Sequence, residues 1–240
     1  MAAAPPGSKG LSTYFAWGSG VAILGALVAA ALPRHRRTLL LSGIFAAPSG
    51  LFDAIFVPEY WAPRHAISPY VSVEGVLFSF GNGVLIWACA IAPHAPAVEY
   101  RFAVLPMLRR YAVYMGLGMV LFLVLWRRGL GLTHLPIMDA TLIVVMGYGL
   151  WFLYREPRWA RFGVAGCAGF VLVYALELAL VAWLAPDARA MWVREGGLGF
   201  LGFPLQELGW AACYGGVWAM ATAFGCGASL RDGRGRPPLR

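Results

Sequence analysis

Residues 50–100 read GLFDAIFVPEYWAPRHAISPYVSVEGVLFSFGNGVLIWACAIAPHAPAVEY. Two apolar runs meet at a short turn rich in proline and aromatic residues. Asp53 lies inside the end of the first run, and Glu74 lies inside the start of the second. A carboxyl group at membrane depth costs free energy and needs a structural or chemical reason to be there. A degraded echo follows at residues 173–227, with Glu177 in one apolar run and Gln206-Glu207 opening the next. The remainder of the chain reads as scaffold for these two acidic hairpins.

Composition sets the class. The chain has 240 residues, 60% hydrophobic and 12% charged, with mean hydropathy +0.68. Soluble domains carry about 45–50% apolar and about 25% charged residues, so the expectation is an all-α polytopic membrane protein. The four cysteines (Cys89, Cys167, Cys213, Cys226) fall in or at the ends of apolar runs with no C-x-x-C spacing, which reads as packing rather than metal or redox chemistry. A net charge of +8 could point to nucleic acid. The arginines instead cluster in short loops between apolar runs, the pattern of topology-determining charge, and no nucleic-acid partner is expected.

Seven spans are predicted: Thr13–Leu32, Thr38–Val57, Val71–Ala92, Tyr111–Trp126, Pro136–Tyr154, Phe162–Ala185 and Pro204–Gly225. Residues 1–12 read as a disordered N-terminus and residues 226–240 as a basic tail. Charge follows the first apolar run instead of preceding it, as in an uncleaved anchor with its N-terminus outside. That topology puts thirteen of the 19 basic residues on the cytoplasmic side. Residues 13–92 and 136–225 resemble each other in span order and in where their acids fall. Residues 93–135 hold an extra span that restores direction, giving a parallel 3+3 repeat with a cleft between halves as the expected substrate site.

This topology gathers Asp53, Glu74, Glu177, Glu207 and Asp139 in the outer half of the membrane. A carboxyl in apolar surroundings stays protonated and can serve as a general acid. Helix capping competes with that reading for Asp139 and Glu207, which follow prolines. Aromatic faces stabilise cations that lack water. Phe52, Trp61, Phe78, Phe80 and Trp210 are the candidate substrate-binding rings, and Phe78, Phe80 and Trp210 lie within a turn or two of an acid. The G-x-G-x-x-G match at residues 197–202 follows no strand and reads as a flexible turn. His35, His65, His94 and His134 fall in loops without ligand spacing, so no metal or other cofactor is expected. The single lysine, Lys9, lies in the N-terminal tail, which rules out a membrane-buried retinal Schiff base.

The pattern resembles the small membrane lycopene cyclases of the heterodimeric type. Each three-span unit there carries an Asp near the end of its second span. An aromatic turn follows, then a Pro-x-Glu-Glu motif trailed by Leu and Phe. Leu51-Phe52-Asp53, Tyr60-Trp61 and Val73-Glu74-Gly75-Val76-Leu77-Phe78 match in the first unit, with Ser72 where proline is usual. Pro204-Leu205-Gln206-Glu207 matches in the second. Gly75 replaces the second acid of the first motif, and Gln206 the first acid of the second. The resemblance implies redox-neutral, cofactor-free, acid-initiated ring closure at the ends of a long-chain polyene (a carotenoid), carried out among membrane lipids in a bacterial inner membrane. It implies Glu74 as the acid, Glu207 as partner or base, and Asp53 and Glu177 as groups that keep them protonated. The alternative is a non-catalytic carotenoid- or isoprenoid-binding membrane protein or complex subunit.

Overall fold

The computed structural model describes residues 12–57, 59–63, 65, 72–101, 103, 105–114, 116, 135–193 and 199–231, with residues 52 and 54 by backbone alone. Most of the expected fourth span, parts of the aromatic turn at 58–70, the N-terminal segment and most of the basic tail lie outside them.

Helices dominate. Helix α1 (Thr13–Ala31) is capped by Ser12, whose side chain accepts from the Phe15 N–H at 3.1 Å. Helix α2 (Arg36–Ala46) passes into a 3₁₀ turn (Ala47–Phe52) and then the short helix α3 (Asp53–Phe56). Pro48, near the start of that turn, has no N–H for the α-helical ladder, so the run tightens there. Helix α4 (Val73–Ile91) is capped by Ser72, which accepts from the Gly75 N–H at 2.8 Å. Helix α5 covers 105–114. Helices α6 (Ile137–Arg155), α7 (Ala160–Leu184) and α8 (Gln206–Cys226) complete the bundle. Helix α8 stops at Gly227, which takes the left-handed conformation that glycine accommodates at helix ends.

Among the described residues, four stretches are long and apolar enough to cross a membrane: Thr13–Ala31, Val73–Ala97, Ile137–Arg155 and Pro157–Leu184. Their composition fits an integral membrane protein. The most buried is the α4 stretch, 67% of its apolar window against 33–44% for the others. Helix α4 is the central post, packed on α1, α2, α7 and α8.

Close approaches fix the helix directions. Gly18 meets Glu74 and Gly25 meets Gly81, so α1 and α4 run the same way. Gly43 meets Val84 and Gly50 meets Gly75, so the α2–α3 run is antiparallel to them. Gly166 meets Ala219 and Gly209 meets Leu142, which makes α7 antiparallel and α6 parallel to α8. Small residues bring backbones together where no hydrophobic force separates helix from lipid. One end of the bundle therefore carries Asp53, Glu74, Asp139 and Glu207. The other carries Arg34, Arg101, Arg155, Arg158 and Arg231.

Two short chain pairings close the ends. At the arginine end β1 (Val98–Tyr100) pairs antiparallel with β4 (Ala228–Leu230), each following the last helix of its half. At the acid end Trp61 and Trp192, each following the second helical run of its half, form an antiparallel bridge. Flanking bonds run from the Ala62 N–H to the Met191 carbonyl and from the Val193 N–H to the Tyr60 carbonyl. A hairpin of β2 (Gly199–Phe200) and β3 (Phe203–Pro204) leads into α8. Its turn residues Leu201 and Gly202 both have positive φ. The described half of the 197–202 glycine motif is thus a tight two-residue turn.

A Cβ at Gly81 would collide with the Val21 carbonyl, whereas Gly20 has open space around it. Gly81→Ala should lower the thermal midpoint in detergent by the equivalent of about 1–3 kcal/mol. Gly20→Ala should leave it unchanged or slightly raised. Equal midpoints for the two variants would refute the α1–α4 contact.

His35, at the arginine end, is buried, with Nδ1 2.7 Å from the Tyr100 hydroxyl. Burial, and then the Arg34 charge, hold its imidazole below the ordinary 6.5. The folded state therefore binds fewer protons than the unfolded one. Its stabilising contribution is present above pH 6.5 and is lost as pH falls through the lower folded value. Thermal midpoints measured across that range should fall less steeply for His35→Gln than for the native chain.

Candidate functional site

At the acid end, between the two halves, the bundle encloses a cavity of about 260 Å³. Its wall includes two carboxyl groups, Asp53 and Glu207, among many aromatic rings. Helix α8 supplies Trp210, Tyr214 and Trp218, spaced four apart and so stacked one above another. Their centroids are 4.9 Å and 5.8 Å apart, with interplanar angles of 16° and 26°. Phe78 of α4 stacks on Trp210 at 6.1 Å, and Trp17 of α1 meets Phe78 edge-on at 5.0 Å. Phe56 of α3, Tyr174 of α7 and the turn residues Tyr60 and Trp61 add to the lining at this end, with Tyr114 and Tyr148 farther along it.

The two carboxyls have different hydrogen-bond complements. The Tyr14 hydroxyl and the Ser72 hydroxyl both donate to Asp53 Oδ2, at 2.6 and 2.7 Å. Oδ1 accepts none among the described residues. Glu207 accepts three bonds: Tyr60 hydroxyl to Oε1 at 2.7 Å, Trp192 Nε1 to Oε1 at 2.9 Å, and Tyr174 hydroxyl to Oε2 at 2.5 Å. An ionised carboxyl is acceptor-only, so three converging donors suit a buried carboxylate. Burial, and then the neighbouring Glu207 charge, push the Tyr60 pKa far above 10, which keeps its hydroxyl a donor.

The other sequence candidates fall around this cavity. Glu74 is fully buried in the first turn of α4, with its Oε2 3.9 Å from His65 Nδ1, and stands behind the described wall. Glu177 is buried on α7, and neither of its oxygens takes a hydrogen bond among the described residues. It too is off the described wall. Trp61, Phe78 and Trp210 line the cavity. Phe80 packs against Gly43 of α2 instead, and the Phe52 side chain lies outside the described residues. Asp139 accepts from Gln206 Nε2 at 3.3 Å in a second, polar hollow nearer the surface. The described partners that hold Asp53 and Glu207 are Tyr, Trp and Ser side chains; among the described residues no carboxyl is seen to bond another.

Sequence reading missed Tyr14 and Ser72 as holders of Asp53, and the donor roles of Tyr60, Tyr174 and Trp192. Only the four-residue spacing of Trp210, Tyr214 and Trp218 carried a local signal. The donors to Glu207 come from positions 15 to 147 residues away, a distance at which no local pattern operates. Among the described residues no group of three or more His, Cys, Asp or Glu could hold a metal ion.

No family model matches the chain, and no curated protein or solved structure matches it.

Tyr174→Phe leaves Glu207 with two of its three donors. Hydrogen bonds of this kind inside membrane bundles contribute about 1–2 kcal/mol. The variant should unfold at a lower temperature in detergent, and an unchanged midpoint would show that Glu207 does not depend on the bond.

Proposed function

We propose that the chain cyclises the ends of a lycopene-type linear carotenoid by redox-neutral acid catalysis, as the small membrane lycopene cyclases it resembles do. The observation that carries this reading is the aromatic cavity that receives Asp53 and Glu207 together. Asp53 Oδ1, which takes no hydrogen bond among the described residues, is the oxygen to bear a proton toward the cavity. It protonates a terminal double bond. The neighbouring π electrons close the ring, and the tertiary cation sits in the cavity against the rings of Phe78, Trp210 and Tyr214 that line it. Glu207, served by three donors, removes the adjacent proton. The apolar wall keeps out water, which would quench the cation.

The departures from the family pattern support this division of roles. A Cβ at Gly75 would collide with the Asp53 carboxyl, so an acid could not fit there. Asp53 fills the space that the second acid of the first motif would need. Glu74, the acid favoured by the resemblance, becomes a buried neighbour of the donor on this geometry.

The finer architecture belongs to the same proposal. Seven spans in a parallel 3+3 repeat, with the N-terminus outside a bacterial inner membrane, are supported by the alternating helix directions. The β1–β4 and Trp61–Trp192 pairings support it too, since each joins corresponding points of the two halves. Gathering of arginines at one end fits the cytoplasmic side.

Expression in a lycopene-accumulating bacterium, with pigments resolved by chromatography, tests the activity. Cyclic carotenoids are expected. Asp53→Asn and Glu207→Gln should each reduce them by about 10²-fold or more, while Glu74→Gln should retain measurable rings. Unchanged lycopene with well-folded protein would rule out the activity. Co-purified carotenoid without rings would favour the non-catalytic binding protein.

A further inference from the structure

The polar hollow beside the cavity has a volume of about 700 Å³ and is lined by Asp139, Asp187, Arg189 and Gln206 among others. Asp187, Arg189 and Gly202 on its rim are exposed. Tyr60 and Met138 line both hollow and cavity, so they form the partition between them. Met138 offers no proton-carrying group. Tyr60 is 5% exposed, and its hydroxyl donates to Glu207 Oε1 at 2.7 Å. Its backbone is pinned by the bond from the Val193 N–H and by the Trp61–Trp192 bridge. Trp192 also lines the hollow and also donates to Glu207, but an indole N–H cannot accept and pass on a proton.

Resting on the cyclase reading, we infer that Tyr60 is the proton exit of the site, discharging Glu207 into the polar hollow after each ring closure. The balance requires such an exit. Each closure moves one proton from Asp53 to carbon and one from carbon to Glu207, leaving Asp53 ionised and Glu207 protonated. Neither group can act again until both are reset. Among the described residues no hydrogen bond links the Asp53 cluster, Tyr14 and Ser72, to the Glu207 cluster, and a bound polyene separates the two. In the reset, the Tyr60 oxygen takes the proton from Glu207 as its own hydroxyl proton passes to water in the hollow beside Asp139. An equal proton returns to Asp53 from solvent. Tyr60 is a positioning and relay residue, touching the base rather than the substrate.

Tyr60→Phe keeps the ring and removes the relay. In the purified full-length chain, reconstituted with lycopene, two regimes separate the roles. With enzyme in excess, the first ring closure should slow no more than it does in Tyr174→Phe, which also removes one donor to Glu207 but at a residue off the hollow's described lining. With substrate in excess, turnover should fall by about 10²-fold after a burst of one ring per chain. Imidazole added to the buffer should restore turnover by accepting the proton through the hollow. A variant slowed equally in both regimes and insensitive to imidazole would reduce Tyr60 to a structural contact and overturn the relay. Native multiple turnover in the variant would overturn it in favour of direct return from Glu207 to Asp53. If the native chain forms no rings, the cyclase reading itself fails and the relay with it.

Discussion

The Glu207 carboxyl is the interaction on which the bundle's acid end depends. Its three donors come from the turn after α3, from α7 and from the segment after the Pro186–Met191 turn. A buried charge without partners is costly, and breaking such a set is more damaging than never having built it. The carboxyl thus draws both halves of the chain to one point. The antiparallel bridge between Trp61 and Trp192 is next to two of the donors, so backbone pairing and charge satisfaction reinforce each other there. The cavity lies beneath this knot, and its wall is a consequence of where the knot holds the helices.

Beneath that, helix packing is set by small residues. Helix α4 approaches α1 and α2 so closely that backbone meets backbone at Gly81 and Gly83. Close approach of backbones leaves the larger rings nowhere to go but the seam between halves. Trp17, Phe78, Tyr174 and Trp210 collect there, with the Tyr174 and Trp210 centroids 5.2 Å apart. The dry aromatic chamber and the tight glycine contacts are two sides of one packing solution. A polar sub-network deeper in the same seam has Trp218 Nε1 donating to Ser42 Oγ at 3.0 Å and Ser42 Oγ 2.9 Å from Thr222 Oγ1. It satisfies hydroxyls that lipid could not.

Much of the class was legible from the sequence, because hydropathy and run length depend on local composition alone. That Asp53, Glu207, Trp61, Phe78 and Trp210 are conspicuous was legible for the same reason, since an acid or a ring at membrane depth stands out by itself, and all five line the cavity. What was not legible was which acid faces the cavity. Glu74 and Asp53 are equally conspicuous in the sequence, and only three-dimensional placement puts one on the wall and the other behind it. Phe78 and Phe80 are two positions apart on α4, about 200° around a helix, so one had to turn away. Phe80 is the one against α2. The partners Tyr14, Tyr60, Tyr174 and Trp192 were hidden because aromatic residues in membrane segments are common and their bonds span the chain.

Local geometry accounts for the glycine at position 75 and the glutamine at position 206. A side chain at position 75 would occupy the volume that the Asp53 carboxyl already fills, and Gly50 presses on the same point. A carboxyl there would meet another within contact distance, and two like charges that close cannot both ionise. With glycine at 75, Asp53 takes both hydroxyl donors on a single oxygen. At the second motif, Gln206 sits on the far side of α8's first turn and donates to Asp139 instead of facing the cavity. An acid at 206 would have put a second negative charge beside Asp139, whereas the amide turns a repulsion into a hydrogen bond. Asp53 and Glu207 both reach the cavity wall, and their donors differ: two hydroxyls on one oxygen of Asp53, and three donors spread over both oxygens of Glu207.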